Sequence, residues 1–165
     1  VPTLSRWCVR AALIYLVAGM AIGSWMLVQE ARGKPGPGDP WPELHAHVLL
    51  VGFLLLLIMG VAYWMFPKVR GARPGREGGW IAFGLVNAGL LLRVVAQPRV
   101  VDDAGEAWRW ALGAAAVLPT LGVVAFAVTI LPRVRAAMSP EEARRLRERS
   151  RDGTGGPSHT GGPGR

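Results

Sequence analysis

The run Glu43-Leu44-His45-Ala46-His47 sets a carboxylate and two imidazoles at the head of a long apolar segment, "HAHVLLVGFLLLLIMGVAYWMFP", residues 45–67. Neutral imidazole is a ligand for iron, copper or zinc, and a carboxylate nearby can hold such a ring by its second nitrogen. On a regular helix His45 and His47 stand about 200° apart, so one helix cannot aim both into one pocket. Glu43 and His47 are four apart and share a face, which suits Glu43 as the group that orients the ligating ring. Glu-x-His-x-His is also a copper or zinc pattern, although nothing else on that face supplies a soft ligand. His159, the third histidine, lies in the tail and takes no role.

Arg93 is the other residue that asks for a reason. It is the one charge between Trp80 and Ala96. An arginine inside a span costs roughly 2.5–3.5 kcal/mol on insertion scales and has a partner or a task. It is either an anion clamp, for a haem propionate or a quinone headgroup, or a side chain that snorkels to Glu30 or Glu43. Met26 lies at a similar depth on the first span and reads as packing.

The elements that position these residues follow from the hydropathy pattern. The chain has 165 residues, 51% of them hydrophobic, and a net charge of +8. These agree only if the charges stand between apolar runs. Ala11 to Val28, Val48 to Phe66 and Trp110 to Leu131 hold no charge, and Trp80 to Ala96 holds Arg93 alone. Each run is near the ~20 residues that cross a bilayer core. A soluble bundle would place polar residues every third or fourth position, and these runs do not. The expectation is an all-α fold: a four-helix transmembrane bundle with spans at 8–29, 43–66, 79–97 and 108–131.

The first run reads as a retained span rather than a signal peptide, because its apolar part is long and no clean small-residue cleavage site follows. The single Cys8 excludes an internal disulfide and a zinc-finger spacing. The basic pI is explained by loop charges, not by nucleic acid. Lys and Arg number fourteen in the N-terminal arm, second loop and tail, and four in the first and third loops. The positive-inside rule therefore puts both termini in the cytoplasm and His45, His47 and Arg93 in the outer leaflet. All seven tryptophans fall near span ends, as an aromatic belt would.

Residues 1–135 form the transmembrane domain in this reading. A short basic surface helix follows at 136–150, opened by a capping box of Ser139 and Glu142 with Pro140 at its first position. Residues 151–165, rich in Gly, Pro and Ser, read as a disordered tail. Gly52, Gly60, Gly84 and Gly89 are small residues that let helices approach, Asn87 needs a hydrogen-bond partner in lipid, and Pro119 should kink the last span.

The second span resembles the second helix of the haem–copper oxidase catalytic subunit, in particular its nitric-oxide-reductase-like and quinol-oxidase-like branch. The carrying residues are His45 and His47 with the closing run Gly60, Ala62, Tyr63, Trp64 and Pro67. The third span resembles the following helix at Asn87, Gly89, Arg93 and Pro98, and "GAAAVLPTLGVVAFAVTI" fits the next one loosely. The resemblance covers roughly residues 41–131. It implies that one of the two histidines ligates haem b, with Arg93 at the same depth and Glu43 in support. By its distance from Pro67, His45 fits the ligand place somewhat better than His47. A second axial ligand would come from another copy of the chain, a partner subunit or a methionine such as Met26.

The catalytic subunits of that family are about a dozen helices long and carry further histidines, which this chain lacks. Reduction of oxygen or nitric oxide by this chain alone is not expected. The implied function is a small haem-b protein of the bacterial or archaeal cytoplasmic membrane, in respiratory electron transfer or diatomic-gas metabolism, as a homodimer or a respiratory-complex subunit. Two alternatives stay open: an accessory subunit without cofactor, and a copper- or zinc-handling membrane protein using Glu43, His45 and His47.

Overall fold

The computed structural model describes residues 2–34, 40–66, 76–102, 105–136 and 144. Among these residues every regular element is helical. Helix α1 spans Thr3–Ala31, α2 spans Trp41–Met65, α3 spans Arg76–Val101 and α4 spans Glu106–Ala136. All four are long and apolar enough to cross a membrane. The chain is an all-helical membrane protein on that ground. The surface helix expected at 136–150 lies outside the described residues apart from Ala136 and Arg144, and the tail at 151–165 lies wholly outside them.

Each helix outruns its apolar core by a few residues, because helical hydrogen bonding continues into the polar ends. At one end of α1, the Arg10 guanidinium stands 5.9 Å from the Trp7 ring. At the far end of α3, Arg99 stands 5.6 Å from Trp108. These cation–π pairs let a charge stay in the chain's interfacial turns without a carboxylate. Helix α3 also passes through Pro98 to Val101, a turn beyond the predicted stop. Two residues past the end of α1 stands Gly33, whose φ of 65° suits a residue without a Cβ and whose N–H donates to the Glu30 carbonyl.

The helices form two hairpins, α1 with α2 and α3 with α4. Ser5, Gly60, Tyr63, Gly79 and Phe126 meet at one end of the bundle, where α1 begins. The histidines stand at the other. Between the hairpins lies a core of Ala12, Leu56, Met59, Ala82 and Val86, all buried. Lipid tails are as apolar as these side chains, so close fit rather than the hydrophobic effect holds the helices. A Cβ on Gly60 would sit 2.9 Å from the Cys8 Cβ and 3.2 Å from the Ser5 carbonyl. On Gly52 it would meet the Tyr15 ring, and on Gly89 the Pro119 ring. These three glycines pack as expected. Gly84 does not: nothing lies within 4 Å of its Cβ position. Asn87 has its partners. The Tyr15 hydroxyl donates to its Oδ1 at 3.1 Å, and its Nδ2 donates to the Phe83 carbonyl at 2.7 Å.

One feature of α2 was not expected. Its turns are α-helical over Trp41–His47, widen to a π-helix over Val48–Leu55, and return to α over Leu56–Met65. The buried positions explain it. Leu44, Val48, Gly52 and Leu56 recur every fourth residue. In an α-helix four residues overshoot one turn by about 40°, and three such steps would carry the stripe about 120° around the helix. The wider i→i+5 turn removes that drift and keeps the stripe on the bundle. His47 and Val51 ride beside it on a second straight stripe.

Candidate functional site

At the histidine end, α2 and α3 are tied by three side chains. Arg93 donates from Nη2 to Glu43 Oε1 at 2.5 Å. It donates from Nε to Gln97 Oε1 at 2.9 Å. Gln97 donates from Nε2 to Glu43 Oε2 at 2.9 Å. Each member of the triad thus bonds the other two. The Arg93 side chain is 13% exposed and that of Glu43 57%. The guanidinium is drawn into the bundle while the carboxylate keeps contact with the outside, which lowers the cost of burying the pair. Of the two partners the sequence offered, Glu43 is the one used. Gln97 was missed. It stands four residues past Arg93 on the same helix face, and that spacing could have found it.

The two histidines lead separate lives. His45 turns toward α1, where its Nδ1 lies 2.9 Å from the Gly19 carbonyl. Its ring covers Gly23, where a Cβ would come within 2.7 Å of Cε1. Leu49 covers Gly19 in the same way. Gly19 and Gly23 form a Gly-x-x-x-Gly groove that receives α2, and the sequence reading passed over it because it stood inside an unbroken apolar run.

His47 turns the other way. Its Nδ1 lies 2.9 Å from the Glu43 carbonyl, one turn back. A carbonyl only accepts, so Nδ1 carries the proton and, in the neutral ring, Nε2 keeps its lone pair. Glu43 therefore does orient His47, but through its backbone oxygen. The carboxylate expected in that role is taken by Arg93 and Gln97.

His47 and Arg93 line one cleft of about 210 Å³, walled by Val51, Leu90, Ala115 and Pro119. It lies where α2 and α4 stand apart, and Tyr63 against Phe126, ring centroids 5.7 Å apart, closes the same pair of helices further down. Pro119 builds the α4 wall. Its ring seats in the notch at Gly89, and its missing N–H leaves the Ala115 carbonyl without a helical donor. Thr120, on the exposed rim, gives its hydroxyl to the Ala116 carbonyl at 3.1 Å. Arg93 Nη1 makes none of the triad's bonds. The cleft is thus lined by an imidazole, a guanidinium and a proline-interrupted helix turn between apolar walls.

Glu43, His45 and His47 do not converge. Among the described residues no group of three or more His, Cys, Asp or Glu side chains could hold a metal ion. Met26, on α1, is not among the residues that line the cleft. No family model matches the chain, and neither does any curated protein or solved structure. The resemblance to haem–copper oxidase helices accordingly rests on the residues quoted for it.

Proposed function

We propose that this protein is a membrane haem-b protein in which His47, not His45, supplies an axial ligand and Arg93 receives a propionate. The observation that supports it is the cleft: the Nδ1 of each histidine lies against a backbone carbonyl, but of the two rings it is His47 that lines the cleft with Arg93. A ligating histidine is ordinarily held this way by its other nitrogen. Distance from Pro67 favoured His45, but that ring is spent on the α1 groove.

The donor set fits haem: one imidazole, one guanidinium and apolar walls. The space fits in part. About 210 Å³ is below the roughly 300–1,000 Å³ of pockets that enclose drug-sized ligands, so this conformation takes in only part of a macrocycle. Haem bound there would carry single electrons or hold a diatomic gas, in a respiratory membrane system. In the orientation that the basic residues favour, the cleft opens in the outer leaflet of a bacterial or archaeal cytoplasmic membrane. The protein would work as a homodimer or as a subunit of a larger complex, which would also supply a second axial ligand.

Protein made with ample haem should show a Soret band. His47→Ala should lose it or convert it to a high-spin form, and His45→Ala should keep it. Absence of the band from wild-type protein, or its survival in His47→Ala, sinks the reading. A second reading, an accessory subunit without cofactor, is favoured by one observation: Glu43, Arg93 and Gln97 satisfy one another with no ligand. It takes over if no band is seen.

A further inference from the structure

We propose that the cleft is a receiving site for a membrane-soluble carboxylate, kept shut by the chain's own carboxylate: Glu43 stands on Arg93 where the ligand's acid group would stand. The inference deepens the haem reading, since haem b carries two carboxylates, but it extends to any apolar chain or ring that ends in one.

Four observations carry it. Arg93 is the cation of the cleft, and its side chain is largely buried. Its Nη2 is bonded to Glu43 while Nη1 takes no part in the triad. Glu43 comes from the other hairpin and is more than half exposed, so it can leave Arg93 for water at little loss. At this end the hairpins are joined by Glu43 with Arg93 and Gln97, and deeper by Tyr15 with Asn87. Releasing Glu43 therefore frees the α2 wall of the cleft, at the place where the cleft is too narrow for a large ligand.

The exchange is balanced in charge. One carboxylate leaves the guanidinium and another takes its place, so Arg93 is never left alone in a low-dielectric setting, where a lone charge is most costly. A neutral ligand lacks this route, because it would have to displace Glu43 without replacing its charge. The apparent affinity of a site is reduced by the fraction of molecules in which it is closed. Removing the internal competitor should raise affinity for acids more than that for neutral analogues, which gain only from the freed wall.

The test uses full-length protein in detergent and three probes: haem, a fluorescent anthroyloxy-stearic acid and the methyl ester of that acid. Glu43→Gln keeps the side chain's size and removes its charge. It should bind the free acid and haem about fivefold or more tightly than wild type, in keeping with loss of a competing closed state, while the ester gains less. Arg93→Leu should lose the preference for acid over ester. Gln97→Leu, which removes only one of Glu43's two ties, should move affinity the same way by less, and it carries the test if Glu43→Gln fails to fold. Unchanged or weaker acid binding in Glu43→Gln or Gln97→Leu overturns the proposal, because Glu43 is then only a tie between hairpins. Haem that binds nowhere while the acid follows this pattern removes the haem reading and leaves the receiving site standing. A Soret band in wild type with no gain in either variant does the reverse.

Discussion

The two ends of the bundle are closed by different means. At the end where α1 begins, backbones approach over Gly60, and Leu4, Cys8 and Tyr63 are buried around the contact. The Ser5 hydroxyl donates to the Gly60 carbonyl at 2.6 Å. None of these contacts involves a formal charge. At the histidine end a charged triad ties α2 to α3, and a cleft remains beside it. Steric closure has one solution, because a packed contact has no alternative partner. A charged tie can be exchanged for another of the same sign. On the proposed reading, one end is permanent and the other can open.

The largest effect should come from breaking the permanent end. Gly60→Leu drives a side chain into the Cys8 Cβ and the backbone of α1. Overpacking of this kind costs about 1–3 kcal/mol or more, and backbone cannot yield as a flexible side chain can. Thermal melts followed by size-exclusion chromatography in detergent should show a severe loss of folded protein. A melt like wild type would mean that the two ends are not different in kind.

Arg93→Leu tests the other end and should cost less, about 1–2 kcal/mol, because Glu43 is well exposed and is not stranded when its partner goes. Arg93→Lys should recover part of this, since an ammonium can meet Glu43 but not hold both Glu43 and Gln97 as a planar fork does. If Arg93→Leu destabilises as much as Gly60→Leu, the triad is a structural tie of the first rank and the end is not built to open.

What the sequence made legible divides along the same line. The spans could be read because charge is excluded from about 20 residues at a time, and that exclusion needs no knowledge of neighbours. Arg93 stood out for the same reason, as a charge where none belongs, and Glu43 as its partner was one of two choices. Gln97 was invisible because an amide is unremarkable near a span end until its partner is known. The π-helical turn at Val48–Leu55 was hidden because a run that is apolar at every position shows no period. Its four-residue stripe appears only when burial is known. Gly19 and Gly23 could have been read as a groove, but which residue would fill it could not. That is why His45 was weighed as a ligand and its packing into the Gly23 notch was not foreseen.

His45 can be separated from His47 by what each substitution leaves intact. His45→Ala removes the hydrogen bond to the Gly19 carbonyl and empties the Gly23 notch. Interhelical hydrogen bonds in membranes average about 0.6 kcal/mol and reach about 1.7, so a loss of roughly 1 kcal/mol is expected, read as a lower melting temperature. His47→Ala removes a bond within its own helix and should change stability little. Equal losses in the two variants would erase the assignment of packing to one and chemistry to the other.

The smallest effect should come from Gly84, and its sign is the point. Gly84 and Gly89 lie on one helix, five residues apart and on different faces. A Cβ on Gly89 would stand 2.4 Å from Pro119 Cδ, whereas one on Gly84 meets nothing within 4 Å. Pro119 is a ring in the middle of a helix and cannot swing aside, so Gly89→Ala must part α3 from α4 and widen the cleft above it. Gly84→Ala changes only the helix itself, where alanine is better than glycine by about 0.8–1.0 kcal/mol in water. A small rise in melting temperature is expected, set against a clear fall for Gly89→Ala. If Gly84→Ala also destabilises, that face is covered in the working protein. Cross-linking through a cysteine placed at Ile81, exposed on the same helix three residues before Gly84, would then show whether a second copy covers it.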